Sequence, residues 1–157
     1  MEAVDYPIHD LVPHRGPMCL LDAMLEADPL NSVCEATIRE DAIFLEDDAV
    51  PAQIGIEYMA QAIAAHGGWL SQLKGEPVKV GFLLGAPRWN IHRGSFQLGQ
   101  TLRIEVSQDW GDDELRRFDC LIKDKDSGEV MQDANINVLL PNDLQKYLSA
   151  SRATEGL

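Results

Sequence analysis

One stretch constrains this chain more than any other: Val50 to Leu73, which reads V-P-A-Q-I-G-I-E-Y-M-A-Q-A-I-A-A-H-G-G-W-L-S-Q-L. Nearly every position is apolar or small except Gln53, Glu57 and Gln61, and these recur every four residues, so they fall on one narrow line of a helix. A surface helix carries a broad polar face, whereas a helix this apolar is wrapped by other structure. A carboxylate on such a helix is costly unless it is partnered or neutral, and a carboxyl held neutral near neutral pH is what general acid catalysis uses. The same three residues also read as a solvent-facing seam, and the pattern alone leaves both readings open.

The rest of the chain must supply the wrapping. At 157 residues, one domain buries about two-thirds of its unfolded surface and folds without covalent staples. Cys19, Cys34 and Cys120 are widely spaced, odd in number and without a C-x-x-C pair or a histidine at ligand spacing, so they read as reduced thiols and no metal is expected. The start, M-E-A-V-D-Y-P, lacks the order of a signal peptide, and no apolar run approaches the roughly 18 residues of a membrane span. The expectation is a cytoplasmic protein.

A net charge of -13 argues against nucleic acid and anionic membranes as partners. Residues 1–50 carry two basic and twelve acidic side chains, and residues 105–157 six and twelve. Between Lys74 and Ile104, however, Lys74, Lys79, Arg88, Arg93 and Arg103 face only Glu76, with His92 beside them. This segment reads either as a landing site for an anionic or phosphate-bearing ligand or as a set of internal ion pairs with the acidic ends.

Three prolines and a glycine in Tyr6–Pro17 predict an N-terminal arm over residues 1–17, with at most a helical turn. Met18–Asp28 and Val33–Arg39 predict a hairpin, in which Cys34, Ala36 and Ile38 share one face. An irregular acidic loop, Glu40–Val50, delivers the helix at Pro51, where proline is tolerated. His66-Gly67-Gly68 marks a weak point or early end of that helix, or Trp69, Leu70 and Leu73 extend it to a stop at Lys74-Gly75. Val78–Leu84, Arg88–His92, Thr101–Trp110, Leu115–Lys123 and Val130–Leu140 are candidate strands, with turns at Gly94-Ser95, Gly111-Asp112 and Asp126–Gly128. A short helix over Pro141–Leu148 and a loose tail over 149–157 complete an α+β chain in which a helix lies on a curved antiparallel sheet.

Particular residues resemble a family. Leu11–Glu26, L-V-P-H-R-G-P-M-C-L-L-D-A-M-L-E, is similar to the opening of the FabZ-type 3-hydroxyacyl-[acyl-carrier-protein] dehydratases, and I-x-x-E-x-x-A-Q at Ile54–Gln61 resembles the signature on their central helix. Gly81–Gly85 (G-F-L-L-G) and Leu98–Leu102 (L-G-Q-T-L) look like that family's next strand and glycine turn. The resemblance implies a hotdog fold, an antiparallel sheet wrapped around one long helix, that pairs with a second subunit. It also implies dehydration of a 3-hydroxyacyl thioester to an enoyl thioester in fatty-acid or polyketide-like synthesis. The substrate would ride on the phosphopantetheine of an acyl carrier protein or on coenzyme A, with no other cofactor. Residue by residue, Glu57 matches the helix acid and Gln61 the glutamine that orients it. The Ala52 amide, at the helix N-terminus, matches the donor that polarises the thioester carbonyl.

One departure is chemical. The family's catalytic histidine lies in a G-H-F-P-G motif before the helix, and here Ile43 stands in its place. Among the four histidines, His66 lies nine residues beyond Glu57, roughly 13 Å of helix rise away, too far for a pair in one subunit. His14, in the P-H-R motif, reads as a structural residue that docks the arm or as a replacement base. Arg88, His92 and Arg93 read as a surface for the carrier's phosphate. Three functions stay open: a dehydratase that uses His14, a thioesterase in which Glu57 activates water, and a non-catalytic subunit of a hetero-oligomer. A homodimer or higher oligomer, or a heterodimer with another hotdog subunit, is expected because the helix and the open sheet edge need covering.

Overall fold

Proline and glycine shape the first turns. The computed structural model describes residues 1–155; after a two-residue strand β1 (Glu2–Ala3) the arm forms two 3-10 turns, Ile8–Asp10 and Gly16–Met18. Gly16 adopts a left-handed backbone with φ of 56°, which glycine tolerates without steric cost, and Pro17 sits in the first turn that follows. Ile8, Leu11 and Val12 are buried, so the arm is docked on the core.

The hairpin forms from β2 (Ala23–Ala27) and β3 (Asn31–Thr37). Its first strand starts at Ala23, later than the pattern predicts, because residues 16–18 are taken up by the 3-10 turn. Beyond the acidic loop lie β4 (Ala49–Val50), the long helix α1 (Gly55–Leu73), β5 (Phe82–Ile91), β6 (Phe96–Gln97), β7 (Thr101–Gly111), β8 (Leu115–Asp124), β9 (Val130–Leu139) and α2 (Leu144–Glu155). Seven strands make one sheet in the order β1-β2-β3-β7-β8-β9-β5, and β4 pairs with β6 separately. Every pairing is antiparallel. Register shifts in β2, β5, β7 and at the β8–β9 pair add local twist and bend the sheet around the helix.

One face of that sheet is the core. Leu102, Ile104 and Val106 of β7, Phe118, Cys120 and Ile122 of β8, and Ala134, Ile136 and Val138 of β9 are buried at alternate positions, as a sheet with one covered face requires. On them lie Tyr58, Met59, Ile63 and Trp69 of α1, all buried, each large side chain contributing about 1.5–3 kcal/mol of transfer free energy. The antiparallel sheet therefore wraps one long helix, as the resemblance implies.

Several boundaries differ from expectation. The helix proper begins at Gly55, preceded by a 3-10 turn at Ala52–Ile54. Of the two extents open at its far end the longer holds: it runs through Gly67-Gly68 to Leu73, with Lys74 as its C-cap, and Gly68 is a packing residue, since a Cβ there would lie 1.8 Å from the Leu11 carbonyl oxygen. The two strands expected across Val78–His92 are a single strand, β5. It tolerates Pro87 because it is an edge strand with register shifts on both sides of Gly85. Residues 149–155, expected to be loose, continue α2, and residues 156–157 of that tail lie outside the described residues. Among the described residues no helix is long and apolar enough to cross a membrane.

Candidate active site

The P-H-R motif is a folded unit. Arg15 turns back and donates from Nη1 to the Val12 carbonyl at 2.6 Å and the His14 carbonyl at 2.9 Å, which fixes the backbone on both sides of Pro13. With Leu11 seated against Gly68 of α1, the His14 ring is carried to the same helix face as Glu57. Its Nε2 lies 3.9 Å from Glu57 Oε1 in the same chain. The alternatives for His14, a docking residue or a base, thus converge: the docked arm is what places the ring.

Glu57 occupies the first turn of α1, where the helix dipole favours negative charge. It is not wholly wrapped, since 37% of its side chain is accessible. Gln61, one turn on, is completely buried and saturated. Its Nε2 donates to Glu57 Oε1 at 3.0 Å and to the Met18 carbonyl at 2.7 Å, while its Oε1 accepts from the Leu20 N–H at 2.8 Å. These bonds fix the amide orientation, so Gln61 holds Glu57 by one oxygen, Oε1. The line Gln53–Glu57–Gln61 is therefore graded: exposed, half-exposed and buried.

His14 and Glu57 stand on the wall of a cleft of about 260 Å³. Its other walls are Ala60, Ile63 and Ala64 of α1, Phe82 and Leu83 of β5, and Val138 and Leu140, with Lys79 as the one cation. An apolar cleft with a few convergent polar groups is suited to an acyl chain. A larger recess of about 360 Å³ lies among Arg93, Gln100, Asp124 and Glu129, but its polar groups bond one another, Arg93 to Glu129 and Gln100 to Asp124.

The other predicted residues lie elsewhere. Arg88 and His92 are both held by Asp133 of β9, Arg88 also by Asn135, and Arg93 by Glu129. Antiparallel pairing of β5 with β9 sets these charges side by side, so the internal ion-pair reading of that trio describes the geometry and none of the three lines the cleft. The His92 hydrogen bond holds the Asp133 carboxyl below the usual range. Ala52 also lies outside the cleft lining; its carbonyl accepts from Gln132 Nε2 at 2.7 Å. His66 is buried with Nε2 2.9 Å from the Asp28 carbonyl, and burial lowers its pKa. Burial also pushes the Cys34 thiol up to about 12 and that of Cys120 up as well, which leaves both inert.

Two features escaped the sequence pattern. Gln132 stands in phase with Ala134, Ile136 and Val138 on the buried face of β9, a polar residue at a core position. Its Oε1 accepts from Trp89 Nε1 at 2.9 Å, and a Cβ on Gly55 would collide with its amide at 2.0 Å. It thus clamps the start of α1 to the sheet. Lys79 was the other: in sequence it is one of several cations between residues 74 and 104, with Glu76 three positions before it, and nothing there marks it as a cleft residue.

This architecture and cleft define a hotdog protein of the thioesterase and dehydratase type. The family of ApeP-like proteins, described as ApeP dehydratase, matches residues 6–149, and the chain belongs to that family. Among solved structures, the dehydratase heterocomplex ApeI:P from Xenorhabdus doucetiae superposes with a TM-score of 0.85 at 26% identity, over 94% of this chain and 99% of that one. A hypothetical thioesterase with coenzyme A from Streptococcus pneumoniae gives 0.60 at 11% identity, covering 76% and 84%. Zebra fish thioesterase superfamily member 2 gives 0.61 at 13%, covering 85% and 93%. The latter two share the fold. Comparison with curated protein sequences gives no match. The FabZ-type resemblance is thus refined to the ApeP-like dehydratases.

Proposed function

We propose that this chain carries the acid and base of a dehydratase that converts a 3-hydroxyacyl thioester to the enoyl thioester. The observation that supports it is the His14–Glu57 pair, 3.9 Å apart in one subunit on the wall of an apolar cleft. The gap exceeds a hydrogen bond, and catalytic contacts commonly tighten when substrate is bound. Neutral His14 takes the Cα proton on Nε2. The released electron pair forms the Cα–Cβ double bond as the C–O bond breaks, and the carboxyl proton of Glu57, when that group carries it, goes to the departing hydroxyl to give water. The pair is left as imidazolium and carboxylate, and one proton transfer between them restores the starting state. Gln61 keeps Glu57 aimed throughout. The thioester arrives on a pantetheine arm, of coenzyme A or of an acyl carrier protein.

A second subunit fits the same reading. Among the described residues the outer edge of β5 pairs with no strand and Leu83, Leu84 and Ile91 on that strand are exposed, a combination that favours strand pairing with another chain. The relative in the ApeI:P structure is part of a dehydratase heterocomplex. A hotdog partner with an intact histidine loop would supply what Ile43 lacks.

The test is turnover of a 3-hydroxyacyl thioester by the purified chain, alone and with a second hotdog subunit, following enoyl absorbance. Glu57→Gln and His14→Ala should each lower the rate by about 10²–10⁴, the usual size of a general acid or base contribution. Full activity in Glu57→Gln sinks the assignment. Full activity of His14→Ala in the complex transfers the base to the partner, and free acid with thiol as products establishes a thioesterase instead.

A further inference from the structure

Most cations of this acidic chain are matched to carboxylates: Arg39, Arg88, Arg93, Arg103, Arg117, Lys123 and Lys125 all form ion pairs. Lys74, Lys79 and Arg116 form none among the described residues; Arg116 donates only from Nε to the Asp112 carbonyl, at 3.5 Å. These three come from different places in the chain, the C-cap of α1, the segment before β5, and β8. They nevertheless line one small recess of about 30 Å³, with Glu76 as its single carboxylate. The helix C-terminus attracts a cation such as Lys74 by its dipole, but that does not account for Lys79 and Arg116.

The recess opens onto the acyl cleft, because Gly67, Lys79 and Leu140 line both. From Glu57 to Gly67 is ten residues of helix, about 15 Å. A group held at the recess therefore stands a fixed distance from the acid and base, at the end of a continuous surface. Three cations against one carboxylate, in a protein of net charge -13, make the recess a local attractor for an anion.

We propose that Lys74, Lys79 and Arg116 bind the phosphate ester of the pantetheine arm that delivers the thioester into the cleft. The arm's identity rests on the dehydratase reading; the presence of an anion site does not. The chemistry is common to coenzyme A and to a carrier protein's phosphopantetheine. The site replaces Arg88, His92 and Arg93 as the phosphate contact.

Binding of 4′-phosphopantetheine and of unphosphorylated pantetheine is measured by calorimetry at low salt. The intact chain should prefer the phosphorylated form by about tenfold or more, the scale of one charge-assisted hydrogen bond. Lys79→Met with Arg116→Met should abolish that preference, Lys146→Met, which removes an exposed cation outside the recess, should leave it, and thermal melts confirm that the variants fold. Competition by coenzyme A or by a phosphopantetheine-loaded carrier tells which source is used, and either supports the site. Equal binding of the two probes by the intact chain overturns the proposal, as does an undiminished preference in the double variant. Glu57→Gln keeps the preference, so a failed dehydratase assay and a failed phosphate site give different results.

Discussion

Adding one methyl group at Gly68 should cost both stability and turnover, while the same change at Gly67 should not cost stability. An alanine Cβ at Gly68 would lie 1.8 Å from the Leu11 carbonyl oxygen and 2.6 Å from its carbon. To regain ordinary contact at 3.4 Å the arm must retreat by about 1.6 Å (3.4 less 1.8). Overpacking of this kind costs about 1–3 kcal/mol, offset by about 1 kcal/mol from replacing a helical glycine. The expected net loss of up to about 2 kcal/mol lowers Tm by up to about 8 °C for a chain of this size. Gly67 has nothing within 4 Å of its added Cβ, so Gly67→Ala should raise Tm by about 2–4 °C. Leu11 leads directly into Pro13 and His14, and Arg15 braces that turn as a unit. A displaced arm therefore moves the His14 ring, and a 1 Å misplacement of a catalytic group costs on the order of 10²-fold in rate. Calorimetric melts and enoyl-forming turnover of the two variants test this. Equal melting temperatures together with undiminished turnover in Gly68→Ala would refute the close-approach argument.

Other perturbations follow from the same geometry. Gln61→Leu leaves the Leu20 N–H and Met18 carbonyl without their partner; Leu20 is half-buried and Met18 exposed, so the loss should lie toward the low end of the about 1–3 kcal/mol of a buried group, denaturant melts should show it, and turnover should fall with Glu57 unheld. Gln132→Leu should destabilise by a similar amount, because Trp89 Nε1 and the Ala52 carbonyl lose their partner, and Trp89 fluorescence reports the change. Acidification acts through His66, whose pKa burial lowers. The unfolded chain then binds the proton more readily, so stability is full above the ordinary histidine value of about 6.5 and falls as pH drops below it. The Tm loss between pH 7 and 5 should shrink in His66→Gln, and an identical loss in that variant would remove His66 as its source.

The two halves of the candidate site were legible to different degrees. Glu57 and Gln61 belong to one helix, where a four-residue spacing fixes relative position, so their partnership was readable once the helix was recognised. His14 lies forty-three residues earlier in an arm without regular structure, and its distance from Glu57 depends on Gly16 turning the chain and Gly68 admitting Leu11. Gly67-Gly68 left two helix extents open for the same reason: local propensity treats both as helix-weakening, while Gly68 is a contact surface for Leu11 and the helix runs on to Leu73. Arg88, His92 and Arg93 were conspicuous in sequence, yet β5–β9 pairing places Asp133 and Glu129 against them, whereas Arg116 has no sequence neighbour among the residues it joins.

Alternation of apolar residues in β3, β7, β8 and β9, the length and apolarity of α1, and the chain's overall charge were set by sequence alone, because each depends on residues within a few positions of one another. Strand order, the merging of β5 across Pro87, the joining of His14 to Glu57 and the convergence of Lys74, Lys79 and Arg116 were decided by tertiary structure. Each of these requires segments far apart in sequence to be brought together, and only packing against a common helix does that.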